Sequence, residues 1–76
     1  MPPDWFHRPV LAPVTDRDRE AVRASQRIMG LDETGALDDP TKSRLRGFQA
    51  LLGLSVTGAL DLPTAEALDR IRSHHA

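Results

Sequence analysis

Apolar residues recur at helical spacing in three stretches of the chain. Val22, Ser25, Gln26, Ile28 and Met29 fall along one such stretch, Thr41, Leu45, Phe48, Leu51 and Leu52 along a second, and Thr64, Ala67, Leu68 and Ile71 along a third. One stripe per segment is the pattern of surface helices that pack on a shared core. The helix ends are written in the same segments. Thr15, with Asp16 and Asp18 behind it, opens the first. Asp38 and Asp61 open the other two, each followed by a proline and then a threonine (Pro40-Thr41 and Pro63-Thr64). The carboxylate takes a backbone N–H of the first turn, the threonine bonds back to it, and the proline sits where no N–H is needed. Gly30 and Gly53, each followed by leucine, end the first two helices in a left-handed turn. The pattern predicts helices over 16–29, 39–52 and 62–73. Gly35 and Gly58 are expected at positive φ in the connecting turns, with Leu37 and Leu60 pointing inward just before each new helix.

The two turn-and-helix units are copies of each other. Residues 22–48 laid on 45–71, an offset of 23, match at Arg23/Arg46, Gln26/Gln49, Gly30/Gly53, Leu31/Leu54, Thr34/Thr57, Gly35/Gly58, Ala36/Ala59, Leu37/Leu60, Asp38/Asp61, Pro40/Pro63, Thr41/Thr64 and Leu45/Leu68. Gln26 and Gln49 hold one repeat position on or beside an apolar stripe. A buried amide must be hydrogen-bonded, so each either ties the backbone of the following turn or faces a groove and meets a ligand.

Residues 1–14 are different. They hold Pro2, Pro3, Pro9 and Pro13, four of the six prolines, which predicts an extended arm in front of a domain over 15–76. The arm also carries Trp5, Phe6, Val10 and Leu11, too apolar for an inert linker. Two readings stand open. Trp5 and Phe6 fold back and cap the core, or the arm docks on a partner protein through these four residues.

Composition narrows the chemistry. A chain of 76 residues has room for one core, and a domain of this size buries only about 60% of its unfolded surface. There is no cysteine, which removes disulfides and thiolate metal sites. Ten basic and eleven acidic side chains nearly cancel, so no basic excess marks a nucleic-acid partner. The N-terminus lacks the basic and apolar regions of a secretory signal, and no apolar run approaches the roughly 20 residues of a membrane span. If the chain acts outside a cell, it would ride on a larger particle, be released by lysis, or be a fragment of a longer chain. His7, His74 and His75 have no metal-ligand spacing, and no cofactor is expected. Asp32/Glu33 and Asp38/Asp39 lie in turns where capping accounts for them. The serines lack a base and an orienting acid, so catalysis is not expected.

The run G-L-x-x-T-G-x-L-D-x-x-T, followed by L-x-x-F-Q and then repeated, resembles the peptidoglycan-binding domain family attached to cell-wall hydrolases. The matching segments are Leu31 to Thr41, Leu45 to Gln49, and Gly53 to Thr64 with Leu68, within about residues 16–73. The resemblance implies an all-α fold, a compact three-helix bundle built from a duplicated helix-turn motif. It implies non-catalytic binding of a peptidoglycan stem peptide or glycan in a shallow groove flanked by the second helix and a TGAL turn. Gln49, Thr34 and Thr57 would supply hydrogen bonds there, and Arg46 would orient a carboxylate. The chain departs from the family in having Asp38-Asp39 where many members have Asp-Gly, and in having no tyrosine, which leaves Trp5, Phe6 and Phe48 as the aromatic surface. The alternative is a structural or adaptor protein of a larger assembly such as a bacteriophage virion, using the same bundle for protein docking.

Overall fold

Each of the three predicted segments forms a helix in the computed structural model, which describes residues 2–75, the last two by their backbone alone. The helices are α1 (Asp16–Met29), α2 (Asp39–Leu51) and α3 (Leu62–His75). The side chains of His74 and His75 lie outside the described residues. Among those residues there is no strand, only an isolated antiparallel bridge between Val10 and Leu60. The protein is an all-α three-helix bundle.

The helix ends follow their local chemistry. Thr15 Oγ1 accepts the Asp18 N–H at 3.1 Å, and the Asp18 carboxylate returns a bond to the Thr15 N–H, completing a capping box. Asp38 accepts from the Thr41 N–H and Asp61 from the Thr64 N–H, at 3.2 and 3.1 Å. Gly30 and Gly53 have φ of 77° and 73°, and behind them Leu31 and Leu54 donate to the carbonyls of Gln26 and Gln49, both at 2.8 Å. That is one Schellman turn made twice. Helix α2 stops one residue before the predicted end because Leu52 has left helical geometry, with φ −91° and ψ 2°. Helix α3 runs past residue 73, where no glycine halts it.

The core gathers Ala21, Val22 and Met29 from α1, Leu45 from α2, Ala65 and Leu68 from α3, and Leu37 and Leu60 from the turns. Leu51 and Leu52, expected on the stripe of α2, are not in it. Leu51 is 80% exposed and Leu52 44%. The buried line of α2 runs through Thr41, Leu45 and Gln49, and Leu51 lies about a third of the way round the helix from it.

The N-terminal arm belongs to the same core. Phe6 and Val10 are buried within it, and Val10 exchanges both backbone hydrogen bonds with Leu60, at 2.9 and 3.0 Å. Trp5 meets Phe6 edge to face with ring centroids 6.4 Å apart, and its indole N–H donates to Asp69 of α3 at 3.2 Å. The arm is locked to α1 by Asp18, whose carboxylate is almost wholly buried. It takes two bonds from the Arg8 guanidinium at 3.0 and 2.6 Å, lies 3.1 Å from His7 Nε2, and accepts the Val14 N–H at 3.0 Å. Residues 2–14 thus pack onto the bundle, with Phe6 and Val10 in its core. Of the residues offered for partner docking, Phe6 and Val10 are committed to the core and Trp5 is half-buried and bonded to α3, while Leu11 is exposed.

Candidate functional site

The repeated glutamines build the most elaborate polar structure in the protein. Gln26 Nε2 reaches Thr34 Oγ1, the Ala36 carbonyl and Thr41 Oγ1 at 2.9, 3.0 and 2.9 Å, and its Oε1 accepts the Gly35 N–H at 3.0 Å. Gln49 repeats this on Thr57, Ala59 and Thr64 at 3.1, 3.0 and 3.0 Å. Its Oε1 accepts from both the Thr57 and Gly58 N–H groups, at 2.9 and 3.0 Å. Thr34 and Thr57 then donate to the capping carboxylates of Asp38 and Asp61. Each knot joins the end of one helix, the turn after it and the start of the next. This is why the repeat keeps Gln, Thr, Asp and Thr at fixed spacing.

The knots leave three of the four expected ligand contacts without free capacity. Gln49 is fully buried with both ends of its amide occupied. The Thr57 hydroxyl accepts from Gln49 and the Ala59 N–H and donates to Asp61. Thr34 is engaged in the same way by Gln26, Ala36 and Asp38. No buried side-chain nitrogen or oxygen among the described residues lacks a partner. Asp38 is held below the ordinary carboxylate range, chiefly by the Thr41 hydroxyl, which suits a cap rather than a proton donor.

Arg46 remains. Gly58 has a φ of 72°, and a Cβ placed on it would come within 3.0 Å of Arg46 Nη1 and 3.4 Å of Cγ, so the arginine lies over the bare backbone of the turn. Arg23 covers Gly35 in the same way, at 3.2 Å. The two arginines differ in what neutralises them. Arg23 pairs with Glu20, one turn earlier, at 2.6 Å. At the equivalent place before Arg46 stands Ser43, and Arg46 is exposed with no acidic partner among the described residues. Lys42 lies four residues before Arg46, on the same side of α2. The pairing of Arg23 is visible in the sequence as Glu20 at i−3. Its relevance appears only once both arginines are seen to cover glycine turns.

A second surface feature was not anticipated. Arg44, Gly47, Phe48 and Leu51 line an open hollow of about 200 Å³ on the outer side of α2. Gly47 is part of its lining, and a Cβ added there would meet nothing within 4 Å among the described residues. Among the described residues no group of three or more His, Asp or Glu is placed to hold a metal ion. Nor is any helix long and apolar enough to cross a membrane.

Comparison with known proteins finds no family model, no curated protein and no solved structure that matches this chain.

Proposed function

We propose that the protein is a non-catalytic peptidoglycan-binding module, in which Lys42 and Arg46 on α2 anchor a carboxylate of the stem peptide beside the Thr57-Gly58 turn. The reading rests on the sequence resemblance and on one contrast between the copies. Both keep the arginine that covers the glycine turn, but only the second leaves it without an acidic partner among the described residues. Two like charges at i and i+4 disfavour each other on a bare helix and favour an anion between them. The arginine side chain lies over the turn backbone, which places its charge beside that turn.

The test is cosedimentation with insoluble peptidoglycan sacculi at low and moderate salt. The parent chain is expected in the pellet, and Arg46→Ala should weaken retention roughly tenfold, the worth of one exposed charge-assisted bond. Arg23→Ala should leave it within about twofold. Full recovery of the parent in the supernatant would sink the proposal and favour an adaptor role in an assembly such as a virion, for which exposed Leu11, Val14 and Leu51 offer apolar surface.

A further inference from the structure

We infer that α2 is a self-association face, on which Leu51 of one copy seats in the Gly47 hollow of a second copy with the two α2 helices antiparallel. The hollow is framed by positions 44, 47, 48 and 51, the i, i+3, i+4, i+7 set that receives a single side chain when helices pack knobs into holes. A four-residue hole of that kind is matched to a helix rather than to an extended peptide.

Gly47 supports the reading from another side. Glycine is the poorest helix former after proline, and nothing among the described residues approaches this one closely enough to require it. What its bare backbone permits is close approach from outside.

The choice of a second copy follows from the same face carrying both halves of the fit. Leu51, 80% exposed, projects one turn beyond the glycine that would receive it. A twofold contact needs such self-complementarity, and only antiparallel helices let both leucines enter both hollows at once. In a parallel pair Leu51 would face Leu51. The antiparallel arrangement also opposes the helix dipoles and brings Arg44 of each copy to the C-terminal end of the other α2, whose last turn has no basic residue. Lys42 and Arg46 lie on the other flank of α2, so this pairing is independent of wall binding.

One helix face is small for an interface, and the pairing is accordingly weak. Sedimentation equilibrium of the full chain from roughly 20 µM to 2 mM is the test. The average mass should climb from 8.4 kDa toward twice that value. Gly47→Leu, which fills the hollow, and Leu51→Glu, which removes the knob, should each raise the dimer dissociation constant at least about tenfold while keeping the parent helical spectrum. Isotope-filtered NOEs in a mixed-label sample should join Leu51 methyls to Gly47 Hα across copies. A chain that stays at 8.4 kDa throughout overturns the inference, whether or not it captures some other protein. So does association that both variants leave unchanged.

Discussion

Replacing Gln49 by methionine is the sharpest probe of the repeated knots, because it keeps the length and flexibility of the side chain while deleting every hydrogen bond the amide makes. The substitution strands the Gly58 N–H and the Ala59 carbonyl, both on buried residues. The Thr57 N–H fares better, lying on an exposed residue, and the Thr64 hydroxyl loses only a donor to its oxygen. At about 1–3 kcal/mol for each stranded buried group, Gln49→Met should cost about 4 kcal/mol. The same change at Gln26 strands one buried group, the Gly35 N–H, because Ala36 is exposed and the Thr34 N–H already bonds to the Asp32 carbonyl. Gln26→Met should therefore cost about 2 kcal/mol. A domain of this length has a total stability of roughly 4–11 kcal/mol, so the first variant should be close to unfolding and the second clearly folded. Urea titration followed by far-UV circular dichroism measures both. A loss below about 1 kcal/mol at Gln49, or a larger loss at Gln26 than at Gln49, would show that the knots do not bear the load assigned to them.

Two further outcomes follow from the packing of the arm. Asp18 is held well below the ordinary carboxylate range, first by the Arg8 hydrogen bond and next by the Val14 N–H. Its folded-state value is depressed, so between the two values the unfolded chain binds more protons; the stabilisation is complete above the unfolded value of about 4 and is lost as pH falls below it. Glu33 and Asp38 shift the same way, so urea midpoints should drop between pH 6 and pH 3, less steeply in Asp18→Asn; a flat profile would contradict this. Phe6→Ala removes a buried ring from the core and should cost about 3 kcal/mol, lowering the melting temperature by more than about 10 °C. An unchanged melting temperature would mean that the arm is not part of the fold in solution.

The parts legible in the sequence are those decided within a few residues. A cap such as Asp38 with Thr41 spans three positions, and the Schellman turn at Gly53 closes on Gln49, five residues before Leu54. The offset of 23 doubled each signal. The role of the glutamines stayed open between turn and ligand because their partners lie eight to fifteen residues away, across a turn whose path only the fold defines. Leu51 was misplaced for a related reason. Spacing alone does not show which line of α2 is the middle of the buried face.

Local chemistry, then, dictated where the helices begin, where the first two turn off, which glycines turn left-handed, and that two matching units follow one another, because a hydrogen bond to the next turn needs no knowledge of the rest of the chain. Only the assembled structure decided that the arm completes the core through Val10 and Leu60, fifty positions apart. It also decided that Asp18 is a buried anchor rather than an ordinary first-turn carboxylate, and that Arg46 and the Gly47 hollow face outward. Those outcomes depend on which surfaces remain uncovered once the helices have packed, and that is a property of the whole bundle and of no single segment.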